Sequence, residues 1–295
     1  MSNNRLKIVI LLLVAIIALL FFTIVLISNM SVSEPDAPDS SVSYTEETNL
    51  DIKEPSLVPE IPLEEPKGML YFVIDDVGNN LFQLKPFLEL PMEITFAVLP
   101  GLKYTKEAID LIRLAGKDYI IHQPMEAIGG QNPGSGALLL GMTQDEVRTI
   151  VTENIKVYHG VRGMNNHMGS AGTADYELMN YLFNVLDEQE MSFLDSRTTS
   201  KSVGRELSEI VGIPFAERSI FLDNSKEREA ILEAVEKGLN VSEKKGHAIM
   251  IGHIWTEELA DILLELYPAL LENNYVLNNL TDLFTGNEFN EDTWY

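Results

Sequence analysis

Five short apolar runs of this chain end in residues that could do chemistry. Met69–Ile74 leads into Asp75-Asp76, and Tyr119–Ile121 into His122. Val161–Met164 leads into Asn165-Asn166-His167, Phe193-Leu194 into Asp195, and Ile249–Ile251 into Gly252-His253. Two or three imidazoles with a carboxylate and no thiol suit Zn2+ or a similar divalent ion with an open coordination position. Such an ion polarises a carbonyl or lowers the pKa of bound water to about 7. The adjacent carboxylates allow a division of labour, one binding metal and its neighbour taking a proton from the attacking water. Singly, each residue has a plainer explanation as a satisfied structural histidine or an N-capping aspartate. The weight lies in five together. His159 and His247 precede their runs, which places them on the opposite rim as structural residues.

The elements that must carry these residues alternate. Runs rich in β-branched or aromatic residues fall at Met69–Asp75, Ile94–Leu99, Tyr119–His122, Val161–Met164, Ser192–Asp195, Ile213–Ala216, Ala248–Gly252 and Tyr275–Leu277. Between them lie stretches of helical period, such as Ser225–Leu239 and the segment from Thr256 with Leu259, Ile262, Leu263 and Leu266 on one face. Thr143-Gln-Asp-Glu146 is a capping-box signature. Strand–helix repetition predicts a parallel sheet covered by helices, in which buried strands are apolar until their C-terminal ends. The number of units suits a (β/α) barrel of seven or eight strands, whose C-terminal rim carries active sites. A doubly wound open sheet is the competitor, but its glycine-rich dinucleotide fingerprint is absent.

Composition narrows the function. Lys and Arg number 21 against 45 Asp and Glu, a net charge of −24, which argues against nucleic-acid binding. Without cysteine, disulfides, thiolate-bound zinc, iron–sulfur clusters and thiol nucleophiles are excluded. Ile8–Ile27 is an apolar run interrupted only by Thr23 and long enough to span a bilayer core. Arg5 and Lys7 precede it and acidic sequence follows, so residues 1–7 are expected in the cytoplasm and the remainder outside it, periplasmic or extracellular. A long cleaved signal is the alternative to a single-pass anchor in the cytoplasmic membrane. Residues 28–66, with six prolines, seven serines, ten acids and one lysine, read as a disordered tether. A catalytic domain is expected over 67–285 and an acidic tail over 286–295.

The strings Phe-Val-Ile-Asp-Asp-Val-Gly (72–78), Ile-Thr-Phe-Ala-Val-Leu-Pro (94–100), His-Gln-Pro-Met-Glu (122–126), Asn-Asn-His-Met-Gly-Ser (165–170), Asp-Ser-Arg-Thr-Thr (195–199), Phe-Leu-Asp-Asn (221–224) and Ile-Gly-His (251–253) resemble the divergent polysaccharide deacetylase family, from about Gly68 to Leu283. The resemblance implies a distorted barrel, a zinc-like ion and hydrolysis of acetyl groups on a glycan. By position it makes Asp75 the general base, and Asp76, His122 and His167 the metal ligands. His253 becomes the acid that protonates the departing amine, and Asp195 the group that orients His253 or Arg197. Glu126, Asn166, Ser196 and Arg197 are the implied substrate-binding positions. Two departures stand out. The related deacetylases place a second histidine where this chain has Glu126, so His167 must come from another strand, and Ile254 replaces the proline that usually follows Gly-His. A non-catalytic glycan- or protein-binding module is the alternative function. A metal phosphoesterase fits less well, because Arg197 is the lone cation among the strand-end motifs.

The topology is testable. A reporter fused after Thr285 should be active only in an export-dependent manner, and a mature protein beginning near Ser31 would overturn the anchor while leaving export intact.

Overall fold

The computed structural model describes residues 65–285. Nine strands pair in parallel throughout: β1 (Gly68–Val77), β2 (Thr95–Val98), β3 (Asp118–Met125), β4 (Gly163–Met168), β5 (Ser192–Asp195), β6 (Phe215–Glu217), β7 (Ile220–Phe221), β8 (His247–His253) and β9 (Tyr275–Leu277). Their order is β6-β5-β4-β3-β2-β1-β8-β7, with β9 beside the start of β1. Only Arg218 and Ser219 separate β6 from β7, so one extended segment runs first along β5 and then along β8. Arg218 N donates to Asp195 O and Ser219 N to Ile249 O, both at 2.8–2.9 Å, continuing the two pairings through the bend. The curved sheet thus has its two edges spanned by residues 215–221. The run expected at Ile213–Ala216 overlaps β6, whereas β7, only two residues long, is too short for periodicity to reveal.

The parallel α/β architecture is as expected. The anchor, the tether up to residue 64 and the acidic tail lie outside the described residues. Among those residues no helix is long and apolar enough to cross a membrane. Helix Gln144–Val157 begins at the expected capping box, with both reciprocal bonds of Thr143 and Glu146 present.

Strand side chains alternate faces, and two apolar clusters result. Tyr71, Val73, Ala97, Ile120, Leu194, Ala216, Ile249 and Ile251 fill the inside of the curve, joined by Leu280 of the terminal helix Leu280–Thr285. Phe72, Ile74, Phe96, Ile121, Met164, Phe193 and Met250 face outward to the helices. Two residues beyond Val73, Ile120, Gly163, Leu194 and Ile251, and so of the same parity, come Asp75, His122, Asn165, Ser196 and His253. The polar layer is therefore the next storey of the same interior.

The strand ends differ from expectation in one respect. β3 continues beyond His122 to Met125 and β4 beyond Met164 to Met168, pairing His122 with Asn165 and Pro124 with His167. Polar residues inside a strand read as its end, but here each has a partner. Gln123 Nε2 donates to Gly136 O at 2.8 Å, and Asn154 donates to Gln123 Oε1 at 2.8 Å.

The interior is narrow enough to demand glycine. A Cβ on Gly163 would lie 2.8 Å from Ile120 Cγ2, a β-branched side chain with no freedom to move aside. Gly163→Ala should destabilise the fold by about 1–3 kcal/mol in urea unfolding, as overpacking does. An unchanged midpoint would show that the interior yields.

Candidate metal centre

Asp75 continues the inward parity of Tyr71 and Val73, so Asp76 in a regular strand would point away from it. The backbone changes course instead: Asp76 has φ +67°, and the β1–β2 register shifts between Ile74 and Val77. A left-handed residue costs roughly 1–2 kcal/mol, least for the short polar side chains. The result is two consecutive carboxylates at one mouth.

Asp76 Oδ1 lies 2.9 Å from His167 Nδ1 and 3.2 Å from His122 Nε2, and the two nitrogens are 3.2 Å apart. Ligand atoms of a tetrahedral zinc site with bonds of about 2.0–2.1 Å sit about 3.3 Å from one another. The donor set, two imidazoles and one carboxylate, fits a divalent ion of that kind, and three strands converge to make it.

Asn165 prepares His122 for this role. Its Nδ2 donates to Asp75 Oδ1 at 2.9 Å, which leaves Oδ1 of the amide as acceptor for Nδ1–H of His122 at 2.7 Å. In the neutral ring the proton therefore sits on Nδ1, so Nε2 is the nitrogen that a cation would take. Asp76 Oδ2 in turn accepts from the indole Nε1–H of Trp255 at 2.8 Å.

The electrostatics are those of a place that favours positive charge. Burial works against the charged form of His122, but Asp75 and Asp76 outweigh it and push its pKa up to about 9. Burial likewise opposes ionisation of Asp76, yet its bonds to His122 and His167 hold it well below the usual carboxylate range. Asp75 differs. A neighbouring cation would lower its pKa, but within the chain burial pushes it up, against the pull of His122 and His253.

His253 pairs in register with Asp75 on β8. Its Nδ1 and backbone N both bond Asp223, each at 2.8 Å, and Thr256 Oγ1 donates to the same carboxylate. Burial opposes the imidazolium, and Asp223 with Asp75 and Asp76 offsets it, so the pKa is raised. The carboxylate partner of His253 is therefore Asp223 and not Asp195. Asp195 follows inward-facing Leu194 and points the other way, where it accepts from Arg197 N at 2.7 Å and from Ser202 Oγ.

The four expected substrate-binding positions divide. Asn166 and Ser196 are each 1% exposed, and Asn166 Oδ1 accepts from Ser196 N at 2.9 Å, so both hold β4 to the loop after β5. Arg197 is partly exposed and pairs with Glu217 at 3.1 Å, while Glu126 accepts from Leu140 N at 2.9 Å. A cleft of about 230 Å3 opens above the centre, with Asp76, His167 and Trp255 facing Leu99, Pro100, Leu102 and Pro133. Asn165 and Asp223 were missed although both lie in motifs already noted. Strand parity singles out Asn165 over Asn166. Nothing in the sequence marks Trp255.

The family model for divergent polysaccharide deacetylases matches residues 72–284. An uncharacterised protein of Haemophilus influenzae is 38% identical over 187 residues, which are 63% of this chain and 67% of that one. The protein YibQ of Escherichia coli, also uncharacterised, is 28% identical over 186 residues, and this chain spans 58% of its length. The solved structure of an uncharacterised Agrobacterium tumefaciens protein shares the fold at a TM-score of 0.69 and 16% identity, over 74% of this chain and 89% of that one.

The Asp223–His253 pair makes its own prediction. Asp223→Asn keeps an acceptor but removes the charge, so the His253 pKa followed by NMR should fall. A value that stays put would show that Asp223 does not hold the imidazolium.

Proposed function

This chain belongs to the divergent polysaccharide deacetylase family, and from that premise we propose that it is a membrane-anchored, extracytoplasmic hydrolase removing acetyl groups from an envelope polysaccharide with a divalent cation, Zn2+ by donor type. The observation that carries the reading is the triangle of Asp76, His122 and His167 with a buried carboxylate and a carboxylate-paired imidazole beside it. The apolar run Ile8–Ile27 supports the anchor, and the acidic stretch after it supports export.

In this proposal Asp76, His122 and His167 hold the cation, which supplies Lewis acidity to the acyl carbonyl and to water. Asp75 takes the proton as water oxygen bonds to the carbonyl carbon. Its oxygen Oδ2 lies 3.7 Å from His122 Nε2, at the edge of the triangle, where the charge of the cation would keep it ionised and able to accept that proton. His253, kept protonated by Asp223, delivers a proton to the amide nitrogen as the C–N bond breaks, leaving acetate and a free amine. The mouth walls, with Leu99, Pro100 and Leu102, support exclusion of water around the acetyl group. Arg197 and Glu126 remain candidate sugar contacts at the rim.

The full-length protein purified in detergent should retain close to one metal ion and release acetate from acetylated chito-oligosaccharides or peptidoglycan fragments. Glycan binding with no acetate release would favour the non-catalytic module. Asp75→Asn should keep metal while turnover falls roughly 10²–10⁴-fold, the usual contribution of a positioned base. Asp76→Asn should lose metal first. Exchanged phenotypes would reverse the two roles.

A further inference from the structure

We infer that Trp255 is a positioning residue that ties the cation-holding half of the site to the proton-donating half. Its indole N–H fixes which oxygen of Asp76 faces the histidines, and its ring fixes the plane of His253. The inference rests on the reading of Asp76, His122 and His167 as cation ligands.

Asp76 needs such a restraint. It sits at φ +67° where the sheet register breaks, so the ladder that orients its neighbours does not orient it. A carboxylate with two free oxygens could turn or bind through both. Here Oδ2 is taken by Trp255 Nε1 at 2.8 Å, and Oδ1 alone remains toward His167 and His122. A donor on the outer oxygen of a ligating carboxylate sets its direction, and such outer partners are typically worth about 10–100-fold in metal affinity.

The same ring acts on His253. The imidazole and indole stack with centroids 4.7 Å apart and planes 20° apart, and Phe221 stacks on the imidazole at 5.7 Å and 24°. Cations close the column at both ends: Lys226 Nζ lies 4.5 Å from the indole centroid and the Arg218 guanidinium 3.7 Å from that of Phe221. With its ring plane fixed and Nδ1 on Asp223, His253 has no freedom left about its side chain.

The chain holds Trp255 over both groups by a tight turn. Ile254 N donates to Asp75 O at 3.0 Å and Thr256 N to His253 O at 3.1 Å. A proline at position 254 would lack the first of these donors. Ile254 thus pins the turn to β1 at the residue before Asp76.

Two variants separate the two tasks. Trp255→Phe keeps a ring on His253 and removes the N–H, and Trp255→Leu removes both. Zn2+ affinity, measured on the full-length protein by competition with a chromophoric chelator, should fall about 10–100-fold in both variants. At saturating Zn2+, acetate release should fall at least tenfold further in Trp255→Leu than in Trp255→Phe. In a Trp294→Phe background, where Trp255 is the remaining indole of two, its fluorescence should respond to Zn2+ alone and lose that response in Asp76→Asn. This readout needs no activity and no variant at Trp255. Zn2+ affinity within threefold of wild type in Trp255→Phe would overturn the inference, as would an indole blind to Zn2+ that the chelator shows to be bound. A wild-type protein that holds no Zn2+ overturns both this inference and the reading beneath it. The expected Zn2+ and fluorescence pattern without acetate release supports the Asp76 half and refutes the deacetylase reading alone.

Discussion

The site depends on one backbone residue in the wrong region of conformational space. Strand alternation lets β1 offer a single inward carboxylate at its end, and the left-handed Asp76 converts that into two. Without it, Asp75 would stand in the interior and Asp76 would turn toward the outer helices, leaving His122 and His167 to face each other with no carboxylate between them. Strain of this kind persists only when the surroundings over-determine it. The Asp76 carboxylate is bonded by His122, His167 and Trp255.

Parity explains most of the remaining arrangement. The curved sheet has an inside and an outside, and every strand that reaches the mouth contributes its next inward residue. That rule accounts for Asp75, His122, Asn165 and His253 together, and for the exclusion of Asp195 and Asn166, which are one residue out of step. Asn165 then links the two carboxylate-bearing halves, holding Asp75 with its amide nitrogen and His122 with its amide oxygen. A single amide therefore fixes both the base candidate and the tautomer of a ligand candidate.

How much of this was legible in the sequence follows from range. The alternation of strand and helix, the capping box at Thr143 and the polar ends of five strands are local patterns, and each was read from a few neighbouring residues. The convergence of Asp76, His122 and His167 was legible only through the motif resemblance, since spacing along the chain does not say which rim positions meet. Asp223 escaped because it follows the two-residue strand β7, which exists only as half of a segment shared between β5 and β8. Trp255 escaped for a different reason. An indole after a strand end is chemically mute until a carboxylate 179 positions earlier in the chain is brought to its nitrogen. Of the two neighbours expected for Asp195, Arg197 does donate its backbone N–H to it, whereas His253 could have been set aside because parity within Phe193-Leu194-Asp195 turns Asp195 away from the interior.

The two histidine–carboxylate pairs of the site are built alike and have opposite consequences. On β8, His253 gives Nδ1 to Asp223, a carboxylate behind the ring, and against the opposing effect of burial this partner, with Asp75 and Asp76, raises the imidazole pKa. On β3, His122 gives Nδ1 to a neutral amide, so its charge is set by what stands in front of it, Asp75 and Asp76. A group that donates protons needs its countercharge behind it, where chemistry cannot remove it. A ligand needs a neutral support behind and negative charge ahead, so that a cation can replace the proton. The identity of one residue behind each ring, aspartate or asparagine, thus separates the two roles.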